Sequence, residues 1–190
     1  MKSKQVRFYF AYNSPYAFLA NTRLAREVAP FNVELEYKPV YSPRSGGGPD
    51  LDSPRFRYIF EDVARFAEAY GLELDPGPFA DTGRACRGLL FAGGTGHGVA
   101  YHDAIFRARW LEGKDLGEDE PLTAAAEAAG LDGEALLAAL DEPQWTKLLE
   151  QQQADAEADG VFGVPFFVYD GKHFWGNDRI EWLLRELQKR

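Results

Sequence analysis

Residues 6–16 read VRFYFAYNSPY and set the start of the fold. The β-branched and aromatic run 6–10 is typical of a strand. Asn13 and Ser14 are both favoured as helix N-caps, and Pro15 is favoured in the first helical turn. The sequence therefore predicts a strand that enters a helix at this corner.

The residues after the corner complete a β-α-β unit. Apolar residues recur at helical spacing over 16–28, and Pro30 is expected to end the helix. Val33, Leu35 and Tyr37 then alternate with charged residues, which is the period-two pattern of a strand with one face toward solvent. Strands joined in this way are expected to be parallel, with a right-handed crossover.

The middle of the chain carries helical patterns. A loop rich in Gly, Pro and Ser is predicted over 42–54, before a helix whose apolar face ends at Gly71. Further helical patterns follow Asp81, Pro121, Gly133 and Pro143. The Gly-rich segment 93–98 lacks the preceding strand and the Lys-Ser/Thr of a phosphate-binding loop, so it is interpreted as a connection between helices.

The last part of the chain returns to strands. The apolar run 161–169 is followed by Asp170-Gly171, a strong hairpin signal, and then by residues 172–175. Apolar residues from Ile180 to Leu187 fall at the spacing of a final amphipathic helix. The predicted order is β-α-β, a helical block, then β-β-α.

Composition and net charge disfavour some classes of function. A chain of 190 residues, 45% of them hydrophobic, is large enough for one core with an inserted lobe. The 21 Lys and Arg against 30 Asp and Glu give a net charge of −9, which disfavours nucleic acid and anionic membranes as partners. Residues 1–8 contain no signal-peptide core, and no later run is long and apolar enough to span a bilayer.

The cysteine and histidine content narrows the chemistry further. Cys86 is the single cysteine, so no intrachain disulfide forms, and a cytoplasmic protein is expected. We read Cys86 as a small buried residue without a catalytic role. His97, His102 and His173 are scattered without metal-binding spacing, so no metal is expected.

The element order and two motifs resemble the thioredoxin fold of the DsbA-like group. That group carries Cys-Pro-x-Cys where this chain has Ser14-Pro15-Tyr16-Ala17, and Gly163-Val164-Pro165 matches its cis Val-Pro. Both redox cysteines are replaced here. The resemblance implies an α/β, thioredoxin-like fold built from 1–42 and 160–190, with an all-helical lobe inserted at 43–159.

Within this group the sequence is most similar to the 2-hydroxychromene-2-carboxylate isomerases and the kappa-class glutathione transferases, over nearly the whole chain. The residues that carry this similarity are Phe8-Tyr9-Phe10 before Ser14-Pro15-Tyr16, a helix with Tyr58, Asp62 and Arg65, a segment with Thr82, Ala85 and Arg87, and the stretches VFGVP at 161–165 and FWGNDR at 174–179. Family members often carry Asn and Lys near the substrate, where this chain has SGGGP at 45–49 and Arg55. Asp81 fills a position before Thr82 that is often polar.

The resemblance implies glutathione as cofactor, a small aromatic substrate and a homodimer. Ser14 is expected to activate the glutathione thiol, because a hydroxyl at a helix N-terminus stabilises a thiolate. The alternative is that Ser14 serves only as an N-cap. The cofactor-binding residues are predicted to be Val164, Pro165, Trp175, Gly176, Asn177 and Asp178.

Each of these assignments has a structural alternative. Pro165 is expected to turn the strand edge so that the Val164 backbone pairs with the cysteinyl backbone of glutathione, or else only to begin an edge strand. Asn177 and Asp178 are expected to face the γ-glutamyl end of glutathione, or to cap the last helix. Trp175 is a ligand wall or a hairpin packing residue.

Three further residues are candidates for a substrate carboxylate. Tyr41, Arg55 and Arg87 offer a hydroxyl and two guanidinium groups, which suit that anion, although surface arginines are more often solvated or ion-paired. The predicted activity is cis/trans isomerisation of an aromatic hydroxy or oxo acid by thiolate addition, bond rotation and elimination. The alternatives are a kappa-type transferase or peroxidase, and a non-catalytic thioredoxin-like binding protein.

Overall fold

The computed structural model describes residues 4–41 and 50–189, which contain a four-stranded mixed sheet in the order β2-β1-β3-β4. The strands are β1 (Lys4–Phe10), β2 (Val33–Pro39), β3 (Phe166–Tyr169) and β4 (Lys172–Trp175). β1 is parallel to β2 and antiparallel to β3, and β3 is antiparallel to β4. The predicted β-α-β unit, the hairpin and the α/β thioredoxin-like fold are confirmed.

Eight α-helices accompany the sheet in the described ranges. They are α1 (Pro15–Val28), α2 (Pro54–Tyr70), α3 (Gly83–Gly94), α4 (Gly98–Leu111), α5 (Asp119–Ala128), α6 (Gly133–Leu140), α7 (Pro143–Ala158) and α8 (Ile180–Leu187), with 3₁₀ turns at Ala29–Phe31 and Asn177–Arg179. None of these helices combines the length and apolar character needed to cross a membrane.

Several helix ends follow the predicted signals. Gly71 ends α2 in the left-handed conformation, with φ of 69°, as its position after the apolar face predicts. Residues 95–97 connect α3 to α4, so the predicted connection is present but shorter than the Gly-rich segment 93–98, whose ends belong to the two helices. α1 ends at Val28, the last apolar residue of the predicted pattern, and Pro30 lies in the 3₁₀ turn just after it. Of the loop predicted over 42–54, residues 42–49 lie outside the described residues.

Contacts divide the chain into two compact units, a first unit of residues 1–40 and 150–190 and a second unit of residues 41–149. In the first unit one buried cluster joins β1, β3 and the end of α7. Tyr9, Ala156, Phe166 and Val168 form it, with Val40, Val161 and Val164 packed against it. Next to it, Phe8 stacks on Phe167 at 5.2 Å between ring centroids.

β2 departs from the predicted alternation. It is an edge strand in which Glu36 and Lys38 are half-buried instead of exposed. The Lys38 ammonium lies 2.6 Å from the Glu36 carboxylate and 3.4 Å from that of Asp155 on α7. Pairing keeps these charges at a partly buried position that an isolated charge would avoid.

The second unit is helical, and its core includes unusual polar side chains. Tyr101 and His102 on α4 are fully buried, and the His102 ring meets Phe106 edge-on at 4.9 Å. Burial lowers the pKa of His102 to about 3, so the imidazole is neutral at physiological pH. Gly88 on α3 is needed beside Tyr101, because a Cβ there would come within 2.2 Å of the phenol oxygen.

Candidate active site

The Ser14 corner joins β1 to α1. Ser14 has extended backbone geometry, with φ of −93° and ψ of 113°, and its Oγ accepts a hydrogen bond from the Ala17 amide at 3.2 Å. Its own amide donates to the Ala11 carbonyl at 2.9 Å. The first turn of α1 contains no acidic side chain, so the positive end of the helix dipole is not offset there.

Val164, which is 150 residues away in the sequence, lies beside Ser14 at this corner. The Ser14 hydroxyl points at the Val164 carbonyl oxygen at 3.4 Å, which is long for a hydrogen bond between an O–H and a carbonyl. The Val164–Pro165 peptide bond is cis, as the resemblance implies. The two sequence motifs therefore meet in one place.

The backbone around Val164 is open for pairing. The Pro165 carbonyl accepts a hydrogen bond from the Gly176 amide at 3.0 Å, which fixes the segment to the end of β4. Within the described ranges, the Val164 amide donates to no other group. Val164 is half-buried and Pro165 is buried. The Val164 amide is therefore a hydrogen-bond donor available to a ligand that pairs with this segment.

An aromatic pair borders the same segment. The Trp175 indole lies across Gly163, where a Cβ would come within 2.8 Å of Nε1. Phe162 meets Trp175 edge-on at 4.8 Å, and the two side chains are 72% and 54% exposed. Sequence reasoning proposed Trp175 but missed Phe162. The signal available was its place in the apolar run just before Val164 and Pro165.

The residues after Trp175 form a 3₁₀ turn. Gly176 has φ of 116°, and a Cβ there would come within 2.6 Å of Asp178 Oδ1. Asn177 is buried, whereas Asp178 is exposed and lies 3.0 Å from the Arg179 guanidinium. Arg179 stands at the N-cap of α8 and its side chain makes no capping hydrogen bond, so neither Asn177 nor Asp178 occupies that position.

The candidate substrate residues belong to the second unit. The Tyr41 hydroxyl donates to Asp81 Oδ2 at 3.0 Å, and Asp81 Oδ1 accepts from the Gly83 amide at 2.7 Å. Burial and the hydrogen bond to Asp81 raise the pKa of Tyr41, and the Arg87 cation opposes this shift. Tyr41 and Arg87 are therefore close enough to interact electrostatically.

The two arginines differ in their surroundings. Arg87 is half-buried and donates from Nε to the Leu140 carbonyl at 2.8 Å, so part of its guanidinium binds the C-terminal end of α6. Arg55 is exposed in the first turn of α2. The segment 45–49, where this sequence departs from the family pattern, lies outside the described residues.

Cys86 is fully buried in α3. Burial raises the pKa of its thiol to about 12, against a weaker lowering by a hydrogen bond with Thr82. Such a thiol stays protonated and inaccessible at physiological pH. In the ranges 4–41 and 50–189, no three His, Cys, Asp or Glu side chains are grouped so as to hold a metal ion.

Comparison with known proteins gives consistent matches along nearly the whole chain. Residues 5–188 match the family of DsbA-like thioredoxin domains. A 2-hydroxychromene-2-carboxylate isomerase of Sphingobium xenophagum is 30% identical, covering 95% of this chain and 96% of that protein. The isomerase of the same name from Pseudomonas putida is 28% identical, covering 92% and 90%.

A solved structure agrees with these sequence matches. A 2-hydroxychromene-2-carboxylate isomerase superposes on this chain with a TM-score of 0.85 at 28% identity. The match covers 96% of this chain and 94% of that one. Fold and sequence thus point to the same relatives.

Proposed function

Since this chain belongs to the DsbA-like thioredoxin family and has 2-hydroxychromene-2-carboxylate isomerases as relatives over nearly its whole length, we propose that it is a glutathione-dependent isomerase. Its substrate is an aromatic hydroxy or oxo acid of the 2-hydroxychromene-2-carboxylate type. The observation that carries the proposal is the Ser14 hydroxyl at the N-terminus of α1, beside the Val164 backbone.

The reacting thiol has to come from a ligand. Dithiol chemistry needs two cysteines, and this chain has one, which is buried in the second unit. By the resemblance Ser14 stands where DsbA-like proteins carry their first redox cysteine, and the α1 N-terminus there favours a negative charge. The corner is therefore suited to hold a thiolate that the protein does not supply itself.

The residues of the corner fit a peptide thiol such as glutathione. The Ser14 hydroxyl loses little on turning from the Val164 carbonyl to a sulfur, because its present bond of 3.4 Å is weak. Its oxygen keeps the Ala17 amide meanwhile. The free Val164 amide and the Val164 carbonyl match a peptide that pairs as an added strand.

The remaining contacts fit the ends of the same ligand. The exposed Asp178 carboxylate suits the α-ammonium group of a γ-glutamyl residue. Phe162 and Trp175 offer apolar surface along the segment. Bound glutathione supplies a nucleophilic sulfur that makes a conjugated double bond temporarily single and free to rotate. Tyr41, Arg55 and Arg87 are proposed to bind the acid substrate.

Replacing Ser14 tests this proposal, and Ser53 offers a matched control. Ser53 precedes Pro54 and accepts from the Phe56 amide at 3.3 Å, so it caps α2 as Ser14 caps α1. S14A and S53A should each lose about 1 kcal/mol of unfolding free energy, since both lose an N-cap. Only S14A should lose isomerase turnover and bind glutathione more weakly, as measured by spectrophotometric assay and calorimetry.

The outcomes separate the alternatives. Turnover of S14A equal to that of S53A would remove Ser14 from the reaction. Activity of the wild-type protein on chlorodinitrobenzene or a hydroperoxide, with none on a hydroxychromene carboxylate, would indicate a kappa-type transferase or peroxidase. Absence of glutathione binding at millimolar concentration would leave a non-catalytic binding protein.

A further inference from the structure

Tyr41 and Asp81 form a hydrogen-bonded pair at the start of α3 that the thiol chemistry does not use. The Asp81 carboxylate accepts two hydrogen bonds, from the Tyr41 hydroxyl at 3.0 Å and from the Gly83 amide at 2.7 Å. The Tyr41 ring also packs on Gly83, where a Cβ would come within 3.0 Å of the ring carbon that bears the hydroxyl. The phenol is thus held in place by both its oxygen and its ring.

The direction of this hydrogen bond decides what Tyr41 can recognise. A phenol has one proton, and here that proton is donated to Asp81. The oxygen is then left as an acceptor, which suits a ligand hydroxyl and not a ligand carboxylate. The Asp81 charge beside it also disfavours a second carboxylate.

The substrate class proposed above contains such a hydroxyl. In 2-hydroxychromene-2-carboxylate, C2 bears the hydroxyl, the carboxylate and the ring oxygen, so it is a hemiketal carbon. The hemiketal must open before the double bond of the chain can rotate, because the ring holds that bond cis. Opening begins with loss of the hydroxyl proton.

We propose that Tyr41 and Asp81 form a proton relay that opens this hemiketal; the inference rests on the proposed isomerase function. The substrate hydroxyl gives its proton to the Tyr41 oxygen, and the Tyr41 proton passes to the Asp81 carboxylate. The C2 carbonyl forms as the bond from C2 to the ring oxygen breaks, and the electron pair leaves on that oxygen as a phenolate. Tyr41 is the catalytic residue of this step, and Asp81 positions it and accepts its proton.

Two features suit the pair to this task. Burial and Asp81 raise the pKa of Tyr41, so the phenol keeps its proton until the transfer occurs. The Arg87 cation interacts electrostatically with Tyr41 and stabilises negative charge on the phenol oxygen. The Gly83 amide holds the second oxygen of Asp81, so the carboxylate keeps its orientation.

Y41F, D81N and the double variant test the relay. In D81N the amide oxygen still accepts from the Gly83 amide, but the NH₂ group faces the phenol and takes no proton from it. Asp132 provides a matched control, since its carboxylate caps α6 by accepting from Glu134 and Ala135 amides at 2.9 and 3.1 Å. D132N changes the same chemical group at a helix start outside the pair.

With the hydroxychromene carboxylate as substrate, Y41F and D81N should each lower kcat about 100-fold or more, as removal of a general base does. D81N should leave KM nearly unchanged, and the double variant should be no slower than Y41F, because Asp81 acts through Tyr41. Glutathione binding by calorimetry should be retained in all three. D132N should keep wild-type turnover.

Other outcomes overturn the relay. If D81N and Y41F slow the reaction additively, or D81N changes only KM, Asp81 is not acting through Tyr41. If wild-type protein is active and Y41F equals it, the relay is wrong while the isomerase proposal stands. If the wild-type protein fails to isomerise the substrate, the isomerase proposal falls first and the relay with it.

Discussion

At the scale of single residues, the same local chemistry acquires different roles from its neighbours. Ser14 and Ser53 each stand before a proline, and each accepts a hydrogen bond from the amide three residues on. Only Ser14 has a distant carbonyl, that of Val164, within reach of its hydroxyl. Both serines cap a helix, but only Ser14 is a candidate catalytic residue, because only Ser14 lies beside a second segment of the chain.

The backbone conformation of Gly176 helps to hold the Val164–Pro165 segment beside Ser14. Its φ of 116° is unfavourable for any residue with a Cβ, and a Cβ would also strike Asp178 Oδ1. G176A should therefore lower the unfolding free energy by about 1–3 kcal/mol and weaken glutathione binding, because the amide that holds Pro165 shifts. Urea denaturation and calorimetry measure the two effects.

Gly160 is the control for this substitution. It also has positive φ, of 70°, but a Cβ there meets nothing within 4 Å. G160A should cost less stability and leave glutathione binding unchanged. Equal loss of binding in both variants would show that Gly176 has no special part in the site.

At the scale of elements, a polar contact fastens α7 to β1. The Tyr9 hydroxyl donates to Asp159 Oδ2 at 2.5 Å, and the Arg7 guanidinium lies 3.0 Å from the same oxygen. Asp159 follows the C-terminus of α7, where the helix dipole disfavours a negative charge. Arg7 and Tyr9 offset this cost, because both stabilise the carboxylate.

The contact predicts an alkaline weakening of the fold. Burial and Asp159 raise the pKa of Tyr9 above its ordinary value of about 10, so the native state keeps a proton that the unfolded state releases. The unfolding free energy should then fall as pH rises above 10. Y9F should lower stability by about 1–3 kcal/mol at neutral pH and reduce the alkaline slope.

Urea denaturation between pH 8 and pH 11 measures this slope. Tyr101 and Cys86, whose pKa values are also raised, contribute to the slope in both proteins, so the difference isolates Tyr9. Y58F removes a phenol that is 60% exposed and serves as the control. An unchanged slope in Y9F would contradict the linkage.

The elements also show which features the sequence could predict. The strands, the hairpin turn and the end of α2 at Gly71 were predictable, because each depends on a local sequence repeat or on the backbone conformation of one residue. The 3₁₀ turn before α8 was not, and it displaced Asn177 and Asp178 from the capping position. The partner of Ser14 was expected from the resemblance alone, whereas the Tyr9 and Tyr41 carboxylate partners, 150 and 40 residues away, carry no local signal.

At the scale of the whole molecule, stability depends on acid as well as on alkali, because one histidine is buried without charge. The buried and neutral His102 lies in the second unit. Its pKa of about 3 lies below the ordinary value of about 6.5, so below pH 6.5 the unfolded state takes up a proton that the native state does not. The unfolding free energy should therefore decrease as the pH is lowered below 6.5, by up to about 1.4 kcal/mol per pH unit from this group.

H102Q tests this acid dependence. The variant should lose less stability than the wild-type protein between pH 6.5 and pH 4, because glutamine does not titrate. H173Q, which changes an exposed histidine on β4, is the matched control. Denaturant titrations at each pH give the slopes, and an H102Q slope equal to that of the wild-type protein would contradict the prediction.

The strand order β2-β1-β3-β4 has a consequence for synthesis on the ribosome. β1 ends at Phe10, yet its neighbour β3 begins only at Phe166. At translation rates of about 5–20 residues per second, one edge of β1 waits roughly 8–30 s for its partner. The helices from 54 to 140 are contiguous in the chain and can fold during that time. A nascent chain stalled before Phe166 would expose an unpaired strand edge, and such edges favour aggregation.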